Sequence, residues 1–501
     1  TTAGRIVAAG GAARASSVSV TDGEGVHDLF RELADEHGGL DAVVNVAGIT
    51  RHSGFAEGTE EDWLAVLAVH LEGYLNVLDA ALPLMAAAGH GRVLGVTSGS
   101  GWRAADAGAY SCAKRAVAAL TWQLGRQAPP GVTVNAVSPI AATRMVAAAV
   151  ERARQMGGAS RGGGMSLRSM PGPEDLGPLG AYLVGDQFGW CTGQVLFAGG
   201  SEVAVVDEPR LLEVVRSDEV HSLAAVFGAV VPRAFATAET SQVSGGGGNP
   251  RFGAIFDEPA PTELGSAHVR SCAVVTDRPL LSASLTAALE ARGVTCHRVE
   301  VAHGFGDAAK ALSSVVEAEG PIDAIVVAPA GREPAATSTN GWEQVLAEHR
   351  GIVEHIHTDA AWARAAADYA ASAARPVQLV TLTDAVTTEG RSRAQASAQL
   401  ARAAAGSTNG RITAFAASIE TSEAAAGQPV GELVAHLLGH PETAALAGAE
   451  LVIGAGWLGL RSHPRPIGTI IFGGPAVPDW LDAALREVVS ATGCPPHPEA
   501  R

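Results

Sequence analysis

The sequence predicts an α/β fold built twice, as two doubly wound parallel-sheet domains in tandem. β-rich apolar runs alternate with amphipathic helical stretches along the chain, the pattern of a parallel sheet covered on both faces. A length of 501 residues exceeds one ordinary domain. The first half also recurs in the second. Leu40-Asp41-Ala42-Val43-Val44 returns as Ile322-Asp323-Ala324-Ile325-Val326, and Trp63 with His70 returns as Trp342 with His349. The repeat divides the chain into a first domain over 1–205, a linker over 206–265 containing Gly245-Gly246-Gly247-Gly248-Asn249-Pro250, and a second domain over 266–501.

In the first domain, Thr1 falls at the end of a helix and Ala15 to Val20 reads as a strand. Asp41 to Val44 is the next strand, ending in Asn45-Val46-Ala47-Gly48, and Arg92 to Thr97 is a third that delivers Ser98 before a Gly-rich turn. A helix follows with Tyr110 and Lys114, then a strand at Val132 to Val137, a helical run from Arg144 to Gln155 and a helix starting near Pro173. Gly158, Gly162 and Gly164 follow a helical run and precede no βα turn, so they read as a loop rather than a phosphate cradle. The second domain begins strand, helix, strand (Cys272 to Thr276, about 279 to 292, Cys296 to Val301), a beginning for which the first has no counterpart.

A formal charge of −17 argues against nucleic acid and anionic membranes as partners. Five cysteines, none in a Cys-x-x-Cys pair, suggest neither a disulfide framework nor a metal site. No uninterrupted apolar run approaches the roughly 20 residues of a membrane span, and no secretory signal is evident, so a cytoplasmic protein is expected.

The chemistry concentrates at Tyr110 and Lys114, in a chain with only four tyrosines and two lysines. Four residues apart on a helix, the two side chains share a face, where an ammonium favours the ionised phenol and makes it a usable acid or base. Ser98, Tyr110-x-x-x-Lys114 and Asn45-x-Ala47-Gly48 together resemble the short-chain dehydrogenase/reductase superfamily. The resemblance implies Rossmann-like domains, NAD or NADP as cofactor, and catalysis by Ser98, Tyr110 and Lys114, with His70 as a possible anchor of a proton relay or a buried structural residue. It implies a cofactor cleft lined by Asn45, Ala47, Gly48, Tyr110, Lys114, Pro139 and Thr143, and an N-terminal strand and Gly-rich loop that are expected to be missing from the chain. Asn45 to Arg51, Phe55, Glu61-Asp62-Trp63 and Val69-His70-Leu71 resemble the (3R)-hydroxyacyl-CoA dehydrogenase unit of multifunctional enzyme type 2, which implies an acyl-CoA substrate. A polyketide, terpenoid or steroid ketone is the alternative substrate, and a non-catalytic scaffold the alternative of another class. The superfamily's dimers imply that the two domains pack as an intrachain pseudo-dimer, and that two tandem chains form a homodimer. An ungapped offset from Ser98 sets Gln395 opposite Tyr110 and Gln399 opposite Lys114, so the second domain is expected to be non-catalytic.

Overall fold

The computed structural model describes residues 2–102, 108–144, 147, 170–216, 226, 268–333, 340–474 and 476–491. The Gly158 to Gly164 loop and the Gly245 to Pro250 segment lie outside them, as does most of the run from Arg144 to Gln155.

Two sheets organise the chain. In the first, β1 (Ala42–Val44), β2 (Gly91–Val96), β3 (Val132–Pro139) and β4 (Val195–Gly199) are parallel neighbours, and β5 (Glu202–Asp207) returns antiparallel to β4. β6 (Leu211–Arg216) does not continue this sheet. In the second, β8 (Thr295–Val299), β7 (Ser271–Val275), β9 (Ala324–Val327), β10 (Val377–Asp384), β11 (Ile412–Ile419) and β12 (Glu450–Gly454) run parallel in that spatial order, followed by antiparallel β13 (Trp457–Arg461). β6 pairs antiparallel with β13, and β14 (Arg465–Ile471) crosses back to pair antiparallel with β5. The sheets thus exchange edge strands, giving six strands in the first and eight in the second.

This exchange corrects the expected boundaries. Position 205 falls inside β5, and the segment expected as a linker contains β6. The chain end also returns to the first sheet. Helix Leu481–Ala491 buries Leu481, Leu485 and Val489 among Leu179, Leu183 and Phe188. Its Asp482 accepts hydrogen bonds from Tyr182 Oη and Trp190 Nε1, both at 2.8 Å. Ala15 to Val20 is a second correction: residues 11–19 have no regular structure, because no strand among the described residues pairs with the free side of β1. Val44 and Val46 on that edge are 49% and 71% exposed, whereas β9, covered by β7, is buried throughout.

Period-two alternation places Val93 and Leu94 on opposite faces of the first sheet. The face bearing Val93 is covered by helices Gly73–Ala88 and Gly108–Gly125, whose apolar residues belong to the same core as those of helices Ile352–Ser372 and Thr388–Ser407. One apolar core therefore runs through both units. Helices Gly108–Gly125 and Thr388–Ser407 lie against each other along their length, and alanines at 109, 113, 116, 396, 398 and 404 let the backbones approach. Helix Glu60–Ala88, at 29 residues, is long and apolar enough by length and composition to cross a membrane, although Glu72 and Asp79 interrupt its apolar run. It contributes Trp63, Leu67, Leu78 and Leu82 to the shared core instead.

Candidate active site

β1, β2 and β3 end together, and the residues that follow them form the rim of the site. After β1, Asn45 donates its N–H to Leu94 O at 2.9 Å and accepts from Ala47 N–H through Oδ1 at 3.3 Å, closing a side-chain turn. That turn leads into Gly48, where a Cβ would lie 2.6 Å from His70 Cε1. Only glycine lets the imidazole press on the backbone here. Gly48→Ala is expected to push His70 off its seat beside Ile49, checked by the change in its imidazole proton resonances.

His70 arrives through a local irregularity of the helix. Between Glu60–Leu67 and Gly73–Ala88 the backbone makes one π turn, Ala68–Glu72, and His70 sits inside it. Its Nε2 lies 3.1 Å from Ile49 N and 2.7 Å from Ile49 O. Nδ1 is buried without a hydrogen-bond partner among the described residues. Burial first, and then the Lys114 charge, pull the imidazole down to about 4, so it is neutral at physiological pH.

After β2, Thr97 fastens strand to helix by donating through Oγ1 to Lys114 O at 2.5 Å. Ser98 then caps a short turn, Gly99–Gly101. Helix Gly108–Gly125 brings Tyr110, half-buried, edge-on to the His70 ring with centroids 5.0 Å apart. One turn on, Lys114 is 3% exposed, with Nζ 5.7 Å from the Tyr110 ring centroid. That Nζ donates to Val96 O at 2.6 Å, and burial pulls the ammonium down to about 7. Pro139 closes β3, and Thr143 follows with its N–H bonded to Ala141 O at 2.8 Å. Every candidate named from the sequence therefore lies at these strand ends or on the two helices behind them.

The structure around the second sheet differs from the ungapped reading of the repeat. Helix Thr388–Ser407 begins four residues after β10, whereas Gly108–Gly125 begins twelve after β2. The offset of the bare sequence therefore overshoots. His349, which the sequence repeat sets opposite His70, bonds Ser392 Oγ at 2.8 Å and Val345 O at 2.7 Å. Beside it Arg393 makes a two-point pair with Asp359, at 2.9 and 2.7 Å. Gln395 and Gln399 face Arg115 of the first unit.

The family model described as Enoyl-(Acyl carrier protein) reductase matches residues 1–200. An acetoacetyl-CoA reductase of Allochromatium vinosum is 34% identical over 175 residues, which are 34% of this chain and 70% of that relative. The chain belongs to the short-chain dehydrogenase/reductase family. The 3-oxoacyl-[acyl-carrier-protein] reductase FabG of Thermotoga maritima is 30% identical over 189 residues, 37% of this chain and 75% of its own length. A short chain dehydrogenase from Mycobacterium avium aligns in structure at 30% identity, covering 47% of this chain and 76% of its own, with a TM-score of 0.37. As a member of this family, the chain is an NAD(P)-dependent oxidoreductase that interconverts a secondary alcohol and a ketone. The residues present fit a nicotinamide nucleotide. An ammonium has three donors, and Lys114 spends one on Val96 O, which leaves capacity for ribose hydroxyls.

Proposed function

We propose that the chain interconverts 3-oxoacyl and 3-hydroxyacyl thioesters, carried on coenzyme A or acyl carrier protein. The seating of Lys114 beside the Tyr110 ring and on Val96 O, two residues before Ser98 at the end of β2, in a unit similar to an acetoacetyl-CoA reductase and a 3-oxoacyl-[acyl-carrier-protein] reductase, supports this reading. The likeness of Val69-His70-Leu71 and its surroundings to the dehydrogenase unit of multifunctional enzyme type 2 points to the same substrates. A bound nicotinamide would supply or accept the hydride. Ser98 hydrogen-bonds the reacting oxygen and stabilises charge building on it, and Tyr110 gives that oxygen its phenolic proton or takes it back. Lys114 holds the ribose side of the nucleotide and sets a positive charge beside the phenol. Asn45, Ala47, Gly48, Pro139 and Thr143 line the nicotinamide cleft, where open α/β sheets bind ligands. His70 is a buried neutral group that shapes the wall behind Tyr110.

In this reading residues 266–501 form a degenerate second unit that packs on the first as a pseudo-dimer and does no chemistry. Its Arg393–Asp359 pair, 1% exposed on both sides, and the 3.5 Å approach of Arg393 Nη1 to Ala330 O after β9 support a filled cleft. A cytoplasmic homodimer of such chains completes the proposal.

Turnover of acetoacetyl-CoA, compared with a panel of cyclic and steroid ketones under NADH and NADPH, tests the substrate class. Preference for a cyclic ketone would overturn the thioester reading. Tyr110→Phe is expected to lower kcat roughly 10²–10⁴-fold without changing the melting temperature. A scaffold protein would show no turnover to lose.

A further inference from the structure

The hydroxyl of Ser98 is not free to choose its role. Ser100, two residues on, donates to Ser98 Oγ twice, from its backbone N–H at 3.3 Å and from its own hydroxyl at 3.0 Å. A serine oxygen has two acceptor lone pairs and one donor hydrogen. With both lone pairs engaged, the O–H of Ser98 is what remains for the reacting oxygen. That polarity suits the reaction, because negative charge builds on the substrate oxygen as a ketone is reduced.

Ser100 is itself held from the other unit. It is 5% exposed, and its carbonyl accepts from Gln399 Nε2 at 3.3 Å. Gln399 Oε1 accepts from Arg115 Nη1 at 3.4 Å, and Arg115 follows Lys114 directly in the catalytic helix. The turn also has no slack against that helix: a Cβ on Gly101 would lie 2.9 Å from Arg115 N. Gln399 thus ties one end of the serine turn to the helix that bears Tyr110 and Lys114.

We infer that Ser100, braced by Gln399 of the second unit, is a positioning residue that fixes Ser98 as a hydrogen-bond donor to the substrate. The inference rests on the oxidoreductase reading of the site. It gives the second unit a part in the reaction, as a brace for the serine turn.

The test is a double-mutant cycle on the full chain. Ser100→Ala is expected to lower kcat about 10-fold or more with KM within twofold, and to add nothing when Ser98 is already alanine. Gln399→Glu keeps the acceptor for Arg115 and removes the donor to Ser100 O, so it should lower kcat in the same direction and by less. An unchanged kcat for Ser100→Ala, or an equal fall in both backgrounds, would overturn the inference. Should Ser100→Ala unfold at assay temperature, Ser100→Cys keeps the volume, weakens the donor and is read by the same criterion. A second readout needs no turnover: amide exchange in peptides spanning residues 97–102 should quicken in Ser98→Ala, because the Ser100 N–H loses its acceptor. Unchanged exchange would sink the positioning role. Absent wild-type turnover with quickened exchange would instead sink the functional reading and leave the bond standing.

Discussion

Lys114→Met is expected to lower turnover steeply and to make the folded chain more stable at neutral pH and below. The ammonium is almost wholly buried, and burial lowers it from 10.5 to about 7. Below pH 7 both folded and unfolded chains hold the proton, and the folded chain bears the cost of a buried charge in full. Between about 7 and 10.5 the unfolded chain binds the proton while the folded chain has released it, so stability rises with pH across that window. The gain is on the order of 5 kcal/mol, since each tenfold loss of proton affinity on folding corresponds to about 1.4 kcal/mol. His70, lowered to about 4, adds a slope of the same sign between about 4 and 6.5. Methionine matches the length of lysine without its charge and removes the upper window. Urea midpoints at pH 6 and pH 9.5 should therefore diverge for the wild type and nearly coincide for the variant. Parallel midpoints in the two proteins would refute the buried ammonium as the source. Activity moves the other way, by roughly 10²–10⁴-fold, because the charge that destabilises the fold is the one that serves the phenol and the ribose.

The legible parts of the sequence are those whose information is local. β2, β3, β9 and β10 announce themselves as short apolar runs, and Tyr110 and Lys114 share a helix face by spacing alone. Asn45 and Ser98 follow strands, and strand ends are where an α/β sheet gathers its chemistry. What escaped reading depends on partners far along the chain. β6 and β14 look like any edge strand, and nothing near Leu211 or Arg465 says which sheet each will join. Ala15 to Val20 has a strand's composition, but a strand needs a neighbour to bond. The π turn at His70 and the short β10-to-helix connection are one-turn changes of register that leave no compositional trace. The second of these moved Gln395 and Gln399 from positions opposite Tyr110 and Lys114 to the contact with Arg115. Ser100 could have been noticed as a second hydroxyl beside Ser98, but its donor role needs the geometry of the turn.

Arg115→Ala is expected to cost about 3–5 kcal/mol, enough to unfold many domains, although the residue never touches the cleft. The guanidinium is fully buried between the units. Nε donates to Gln395 Oε1 at 3.0 Å, and Nη2 lies 3.2 Å from Glu450 Oε2 and 3.0 Å from His463 Nδ1. Burial lowers Arg115 and raises Glu450, in each case against the attraction of the other. Both directions say that desolvation outweighs the pairing, so the pair is held together by the fold more than it holds the fold. Deleting Arg115 leaves the buried Glu450 carboxylate with only the 3.8 Å approach of Arg461 Nη1 as a charge partner, and deleting Glu450 leaves the guanidinium buried with only neutral partners, whereas removing both charges relieves two desolvation penalties at once. Arg115→Met combined with Glu450→Gln should therefore unfold at a denaturant concentration near or above that of the wild type, while each single change lowers it steeply. Additive losses in the double variant would mean that the pair itself stabilises the contact. Near-wild-type stability with reduced kcat would mean that the polar network registers the catalytic helix against the second unit, and that packing alone supplies the adhesion.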